Sequence, residues 1–388
     1  MAIPLSYNLR NLRERKTHTI MTALGLALTV AVALSVLALV DGLRQTFRAS
    51  GDPLNILVLR KGATTELASN FNRSVYNDLK FKPGIARTPS GEPMASLELV
   101  TVIGLESPEH PEGTNVNFRG LKPIGIRMRK DLEIVAGRWF RPGFREAVVG
   151  QSVAARYPEM GVGGKLHLGH GDWDVVGVMR AGESSINSEI FCDLDQVAAD
   201  ENRPEVLSST LLQAADAVSK AALIRDLSDD QRLNVDAVGE VEYYDRQTRS
   251  SAPVEFVGLF VAALMSIGSS FAAMNTMYAA VSHRAREIGT LRVLGFSKGA
   301  ILLSFLLESL ALAALGGIIG CLLVLPLNNL TSAIGSFTTF SETTFHFRVT
   351  PQIMGIGMLF AGFMGTLGGL FPASNAARKE ILVALRSF

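Results

Sequence analysis

Two long uncharged segments flank a short basic segment in the C-terminal half of the chain, and this pattern constrains the fold most. Residues 256–281 carry no charged side chain, and residues 299–330 carry only Glu308. Each segment exceeds the ~20 residues that a helix rising ~1.5 Å per residue needs to cross ~30 Å of hydrocarbon. The pattern predicts two membrane-spanning helices joined by a short surface loop.

The charges in this loop predict the orientation of the chain. The loop has four basic residues and one acidic residue, namely Arg284, Arg286, Arg292, Lys298 and Glu287. Because basic loops remain on the cytoplasmic side of a membrane, we place it there, together with the basic C-terminal tail.

Two further apolar segments, 20–40 and 353–371, predict two more spans. The first could instead be the apolar region of a signal peptide, but it is long and no clear small-x-small cleavage motif follows it. We interpret it as an uncleaved span. Before it, Leu5, Leu9 and Leu12 share one helical face and basic residues occupy much of the rest, which predicts an amphipathic helix on the inner leaflet.

The middle of the chain has a different pattern. Short strand-like runs such as LELVTVIGL and WDVVGVM alternate with glycine and proline, and helical patterns cover 152–156 and 214–227. With 48% hydrophobic and 19% charged residues, the whole chain fits neither an ordinary soluble protein nor a wholly embedded one. We predict a membrane protein with four transmembrane α-helices and a large α+β extracytoplasmic domain inserted between helices 1 and 2.

We expect the following segments in chain order: a cytoplasmic amphipathic helix (1–19), transmembrane helix 1 with a stalk (20–50), a large periplasmic domain (51–240), a stalk with transmembrane helix 2 (241–281), a cytoplasmic loop (282–298), transmembrane helix 3 (299–327), a periplasmic loop (328–350), transmembrane helix 4 (351–374) and a cytoplasmic tail (375–388). The stalk segments 41–50 and 238–253 are expected to pair.

Several function classes lack their motifs in this sequence. The net charge of +1 indicates no nucleic-acid partner, and neither Cys192 nor Cys321 has neighbours at metal-ligand spacing. The Gly163-Gly164-Lys165 run lacks the spacing of a phosphate-binding loop, and no hydrolase motif occurs. We therefore predict a non-catalytic subunit without a metal or bound cofactor. The acids of the middle segment are interpreted as solvated.

Three stretches of the sequence resemble the permeases of the FtsX/MacB type, the type VII ABC transporters. They are the loop RAREIGTLRVLG at 284–295 followed by Glu308-Ser309, the tail motif Phe371-Pro372-Ala373 with Ala384-Leu385-Arg386, and the middle-segment runs GRWF at 137–140, EAVVG at 146–150 and VVGV at 175–178. One departure is Phe296-Ser297, where the family commonly has alanine and a basic residue.

The resemblance implies that loop 282–298 forms a coupling helix that docks on a separate cytoplasmic ABC ATPase. ATP and Mg²⁺ would bind to that partner, and none would bind to this chain. The closing of the ATPase would then be transmitted through the stalk to the outer domain, which is called mechanotransmission. The other implied partners are membrane lipids, a second permease in a homodimer or heterodimer, and a periplasmic adaptor or lipoprotein.

The candidate ATPase-coupling residues are Arg284, Arg286, Glu287, Gly289, Leu291, Arg292 and Gly295. The alternative for the arginines is topological anchoring, whereas the acidic Glu287 gains nothing from that role. The glycines either allow close approach, end a short helix or are ordinary turn residues. Glu308, an acid inside a span, is either functional, or close enough to the interface to reach water, or bonded to the loop.

The expected function is a permease subunit that couples ATP hydrolysis to efflux or to lipoprotein or lipid export. Two alternatives involve no transport: an FtsX-like regulator of cell-wall hydrolases and a peptide-sensing signalling subunit. The expected location is the cell inner membrane, multi-pass, with both termini in the cytoplasm.

Overall fold

The structure is a computed structural model that describes residues 16–107, 110–248, 252–335 and 341–378. Most of the predicted amphipathic helix at 1–19 and most of the predicted tail at 375–388 lie outside the described residues. The chain forms two compact units. The membrane unit comprises Met1–Asp41, Pro253–Leu330 and Phe347–Phe388, and the core domain comprises Gly42–Ala252 and Thr331–His346.

The helices of the described residues are α1 (Lys16–Ser50), α2 (Arg73–Leu79), α3 (Pro123–Arg127), α4 (Gln151–Arg156), α5 (Leu194–Asp200), α6 (Ala217–Asp229), α7 (Glu240–Thr248), α8 (Ala252–His283), α9 (Ala285–Val293), α10 (Lys298–Val324) and α11 (Pro351–Arg378). The strands are β1 (Asn55–Arg60), β2 (Phe71–Asn72), β3 (Ala95–Ser107), β4 (His110–Leu121), β5 (Leu132–Gly137), β6 (Glu146–Gly150), β7 (Lys165–Leu168), β8 (Gly171–Ala181), β9 (Glu189–Asp193), β10 (Val206–Leu207), β11 (Ser209–Gln213), β12 (Val235–Gly239), β13 (Thr331–Gly335) and β14 (Glu342–His346).

Four helices among the described residues are long and apolar enough to cross a membrane. They include Thr19–Ser50 of α1, Glu255–His283 of α8, Lys298–Asn328 of α10 and its extension, and Pro351–Arg378 of α11. The predicted fold class is therefore confirmed, because four apolar helices accompany one large α/β domain inserted after the first.

Small residues bring these helices close together. A Cβ atom on Gly365 of α11 would lie only 2.4 Å from the Cβ of Ala313 on α10. A Cβ atom on Gly320 of α10 would lie 2.8 Å from the carbonyl oxygen of Ala27 on α1. Larger side chains would force these helices apart, so these glycines serve packing within one chain.

The core domain is built on a mixed sheet of ten strands. Its order is β12-β1-β11-β3-β4-β9-β6-β8-β5, with β7 paired to β8. The pairs β4–β9 and β6–β8 are parallel, and the other pairs are antiparallel. Its hydrophobic core includes Phe118 and Trp173, whose rings meet edge to face with centroids 5.2 Å apart.

The prediction of only two helices within the core segment 51–240 was wrong, because the short helices α2, α3 and α5 were overlooked. Each spans five to seven residues, too few to show a helical period. Local signals start them instead: the Asn72 and Asp193 side chains cap α2 and α5, and Pro123 begins α3. The helix predicted at 214–227 begins later because Asp216 caps it.

The chain enters and leaves the core domain through two helical segments that touch each other. The last turns of α1 and the helix α7 both belong to this domain. The ring centroids of Phe47 and Tyr244 lie 6.3 Å apart, and Arg48 Nε lies 2.9 Å from Asp245 Oδ1. The stalk segments that the sequence suggested as partners therefore contact each other.

The segment between α10 and α11, treated above as a periplasmic loop, contains a β-hairpin that belongs to the core domain. Strands β13 and β14 pair antiparallel. Arg156 Nη1 of α4 lies 2.5 Å from Glu342 Oε2, and the backbone N–H of Thr344 donates to Ser188 Oγ at 2.9 Å. The hairpin gives the core domain two further covalent connections to the spanning helices, one from α10 and one to α11.

Candidate functional site

The predicted coupling loop folds into the nine-residue helix α9. Gly295, with φ of +93°, ends it in the left-handed conformation that favours glycine. The N–H of Gly295 donates to Arg292 O at 3.2 Å, and the N–H of Phe296 donates to Leu291 O at 3.1 Å. This pair of bonds is a Schellman motif, so Gly295 ends the helix. Ser297 then caps α10 by accepting a bond from Ala300 N.

The inner face of α9 packs on the rest of the membrane unit. Ala285, Ile288 and Gly289 are buried. Ile288 belongs to one hydrophobic cluster with residues of α8, α10 and α11, namely Met277, Val281, Ile301, Phe305, Leu312, Ala373 and Ala376. Displacing α9 would therefore disturb three of the spanning helices at once.

A buried ion pair joins the start of α9 to α10. Arg284 Nη1 lies 3.0 Å from Glu308 Oε2, and Arg284 Nε lies 3.2 Å from Glu287 Oε2. Arg284 and Glu308 are only 7% and 5% exposed. The Arg284 guanidinium also lies over the ring of Phe305, 5.3 Å from its centroid. Glu308 is thus bonded to the coupling loop, which is one of the alternatives considered for it.

The seven candidate coupling residues differ in their exposure to solvent. Arg286 and Glu287 are exposed on the outer face, whereas Arg284 and Gly289 are buried. The half-buried Leu291 and Arg292, with Gly295, shape the end of the helix; Arg292 Nη1 donates to Phe296 O at 3.1 Å.

Two outward residues of this region were missed by the sequence analysis. Val293 and Leu294 are 63% and 65% exposed beside the charged face. Exposed apolar side chains next to charged ones are typical of protein-binding surfaces. The signal was present in the sequence, because both are apolar residues at the end of a basic loop.

A second buried charge cluster lies inside the core domain. Arg119 contacts three carboxylates at 2.7 Å, those of Glu66, Glu98 and Glu189. Arg129 Nη2 also lies 2.7 Å from Glu98 Oε2. Burial raises the pKa of Glu98, but the guanidiniums of Arg129 and Arg119 outweigh it, and the net pKa is lowered. Glu98 therefore remains ionised at neutral pH although it is buried.

Glu240, the first residue of α7, belongs to the same region. Its Oε2 accepts hydrogen bonds from the backbone N–H of Asp52 at 2.8 Å and from Asn55 Nδ2 at 2.9 Å. Burial raises the pKa of Glu240 to about 7, although Arg129 acts in the opposite direction. The next turn adds another link, because Tyr243 Oη accepts a bond from the N–H of Glu66.

The interpretation of the core-domain acids as solvated was wrong for these residues. Glu66, Glu98, Glu189 and Glu240 are all buried. Glu98 lies between two leucines in a strand pattern, and Arg119 follows Phe118 in another, so charges within apolar strands were the available signal. In the described ranges no group of three or more histidine, cysteine or acidic residues could hold a metal ion.

Two family descriptions match the sequence. Residues 19–230, more than half of the chain, match the MacB-like periplasmic core domain, and residues 259–381 match the FtsX-like permease C-terminal domain. The chain belongs to the FtsX/MacB-type ABC transporter permeases. It is therefore a membrane protein of an ABC transporter family, and this membership implies an ATPase partner.

The relatives of this chain differ in how much of their own length aligns with it. The ABC transporter permease YknZ of Bacillus subtilis is 24% identical, with 97% of each chain covered. The permease MJ1507 of Methanocaldococcus jannaschii is 21% identical, over 98% of this chain and 97% of that one. The macrolide export ATP-binding/permease protein MacB of Nitrobacter winogradskyi is 34% identical, over 43% of this chain and 24% of that protein. The chain thus aligns to about a quarter of that MacB.

Two solved structures resemble the core domain at low similarity. The extracellular domain of YknZ matches 47% of this chain and 99% of that one, with 17% identity and a TM-score of 0.36. The periplasmic region of MacB from Actinobacillus actinomycetemcomitans matches 50% of this chain, with 13% identity and a TM-score of 0.37.

Proposed function

We propose that this permease is a mechanotransmission subunit, in which α9 docks on a separate cytoplasmic ABC ATPase and the core domain moves in response. ATP and Mg²⁺ are bound by that partner, and this chain contributes no catalytic residue. The observation that carries the proposal is the Arg284–Glu308 ion pair, which attaches a surface helix to a spanning helix.

The attachment of α9 supports transmission rather than simple anchoring. A buried ion pair resists separation because each unpaired charge would then lie in an apolar environment. Ile288 adds a packed contact on the same face. A force on α9 therefore reaches α10 and α8 without first being absorbed by a flexible loop.

The outer face of α9 supports a protein partner. Arg286 and Glu287 present opposite charges, and Val293 and Leu294 present exposed apolar area beside them. Apolar contacts surrounded by charged residues give an interface both affinity and register. We propose that these four residues form the ATPase contact, whereas Arg284 and Glu308 act behind it as positioning residues.

Three segments would carry the movement from the spanning helices to the core domain. The last turns of α1 and the helix α7 contact each other within this domain, and the β13–β14 hairpin packs against α4. The permease lies in the inner membrane with both termini in the cytoplasm, and its core domain lies outside the cytoplasm. It forms a dimer with a second permease and binds an outer adaptor or lipoprotein.

The relatives named for macrolide export support an export role.

Co-purification with the cognate ATPase tests the proposal. Leu294→Asp places a charge in the proposed contact and should reduce recovery of the ATPase at least ~10-fold, which corresponds to ~1.4 kcal/mol. Val218→Asp is the matched control, because Val218 is 81% exposed and lies in the core domain. It should leave recovery unchanged.

Equal recovery of the ATPase with Leu294→Asp and with Val218→Asp would refute docking through α9. Capture of a cell-wall hydrolase by the same purified protein, without transport after reconstitution, would replace export by hydrolase regulation.

A further inference from the structure

The two helical connections of the core domain meet at a single buried carboxylate. Glu240 begins α7, and it is 3% exposed. Its two hydrogen-bond donors, Asp52 N–H and Asn55 Nδ2, lie directly after the end of α1 at Ser50. This one side chain therefore ties the chain's exit from the domain to its entry.

The charges around this carboxylate do not balance. The buried region holds two guanidiniums, Arg119 and Arg129, against four carboxylates, and the four are Glu66, Glu98, Glu189 and Glu240. The first three each contact a guanidinium at 2.7 Å. Among the described residues, no lysine, arginine or histidine lies within ion-pair distance of Glu240. Its ionisation would add an uncompensated buried charge.

Other charged groups surround Glu240. The same cavity is lined by Arg129, Lys130 and Asp131 after α3, Asp52 after α1 and Glu183 after β8. The charge of Glu98 on β3 raises the pKa of Glu240, and Lys220 on α6 donates to Pro53 O. Lys130 pairs with Asp52. The cations are thus already engaged by other acceptors, and the site retains an excess of acid.

Protons can reach this carboxylate from solvent. Glu240 lines a cavity of about 160 Å³ whose other walls include Asp131 and Glu183. Both of these acids are exposed, whereas Asn55 and Glu240 are buried. The cavity is large enough to hold water between the buried carboxylate and the surface.

We propose that Glu240 is a proton-operated latch, which holds α7 against the end of α1 when protonated and loosens that joint when it ionises. The neutral acid satisfies the two donors at no charge cost, whereas the carboxylate favours hydration and local opening. The pKa of about 7 agrees with this geometry. Acidification outside the cell would therefore stiffen the joint through which movement reaches the core domain.

Hydrogen–deuterium exchange of the full chain in detergent tests the latch without any ATPase. Exchange rates are corrected for the intrinsic effect of pH and compared at about pH 5.5 and about pH 8.5. Peptides covering 46–56 and 238–248 should lose protection roughly 10-fold or more at the higher pH in the wild-type protein. The opened state, in which the carboxyl has an ordinary glutamate pKa, is favoured by one decade per unit of pH between that ordinary value and about 7.

Two variants sharpen the measurement. Glu240→Gln resembles the protonated side chain in shape and should make protection of both peptides independent of pH. Glu242→Gln is the matched control on the same helix, where an exposed acid pairs with Arg246, and it should keep the wild-type pH response.

Equal corrected protection at both pH values in the wild-type protein, or a retained pH response in Glu240→Gln, would overturn the latch. If Glu240→Gln does not fold, Asn55→Ala tests the latch instead. This variant removes a hydrogen-bond donor that favours the ionised Glu240 carboxylate, so the loss of exchange protection should occur at higher pH than in the wild-type protein. An unmoved transition overturns the proposal. None of these outcomes affects the docking of α9, which the co-purification experiment tests separately.

Discussion

Two buried charge clusters among the described residues of this permease differ in composition. In the membrane unit, one arginine, Arg284, meets one buried glutamate, Glu308, and one exposed glutamate, Glu287. In the core domain, two arginines contact three buried glutamates, and a fourth buried glutamate, Glu240, lies in the same region. A buried cluster with more carboxylates than guanidiniums retains a proton readily. The core-domain cluster can therefore respond to pH through Glu240, whereas the Arg284–Glu308 pair attaches one helix to another.

Removing the central cation of the core-domain cluster should have the largest effect. Arg119→Met leaves three buried carboxylates with only Arg129 nearby, and this should cost at least ~3–5 kcal/mol of stability. We expect a large drop in the unfolding temperature or no folded protein at all. Fluorescence-detected thermal unfolding of the full chain measures this.

Arg180→Met is the control for that variant, because Arg180 and Glu133 form an ion pair in which both side chains are more than half exposed. It should change stability by less than ~1 kcal/mol. Similar unfolding temperatures for the two variants would contradict a special role for the buried cluster.

Breaking the membrane-unit pair should have the next largest effect. Arg284→Met removes the guanidinium that lies 3.0 Å from the buried Glu308 carboxylate, at a cost of ~3–5 kcal/mol, whereas the double variant Arg284→Met/Glu308→Met should recover most of that loss. A double-mutant cycle of thermal unfolding in detergent measures the coupling energy. Additive single effects would show that the two side chains do not depend on each other.

The pH dependence of stability should separate the two clusters. Because the pKa of Glu240 is about 7 in the folded chain and near the ordinary glutamate value when unfolded, the folded state binds the extra proton. The contribution of Glu240 to the free energy of unfolding is fully present below pH ~4.5, and it falls by about 3 kcal/mol as the pH rises from there through ~7. Unfolding at a series of pH values should show this fall in the wild-type protein and a smaller one in Glu240→Gln. An unchanged slope would exclude Glu240 as its source.

The exposed part of the stalk should contribute least. Arg48 and Asp245 are 55% and 40% exposed, so Asp245→Asn should cost no more than ~1 kcal/mol. The same unfolding assay, repeated at high salt, should show no further loss in this variant. A large destabilisation would mean that the stalk depends on the ion pair more than on the Phe47–Tyr244 contact.

The membrane unit was largely predictable from the sequence because each span is an uninterrupted apolar run. Charge rules predicted a cytoplasmic position for the loop, and Arg284, Glu287 and Glu308 were selected as candidates on chemical grounds. Their directions were not predictable, since the sequence does not show that Arg284 turns inward towards Glu308 while Val293 and Leu294 remain exposed. That outcome depends on packing among α8, α9, α10 and α11.

The core domain was less predictable because its sheet order joins strands distant in sequence. Strands β11 and β12 flank β1, although they follow it in the chain by about 150 and about 175 residues. The buried charge cluster was hard to predict for the same reason. Its members come from separate segments of the chain, namely Glu66, Glu98, Arg119 and Glu189. Acids within apolar strands could have indicated burial, but the partners of each acid could not be inferred.

The central claim is that the Arg284–Glu308 pair connects movement of α9 to the core domain. Spin labels at Val218 and Lys298, both exposed, can be introduced selectively because the native Cys192 and Cys321 are buried. In the reconstituted complex with its ATPase, pulsed electron paramagnetic resonance measures the distance between the labels with and without nucleotide. We predict a nucleotide-dependent change in the wild-type complex that is lost in Glu308→Gln, although that variant still binds the ATPase. The same change in both proteins would contradict the claim.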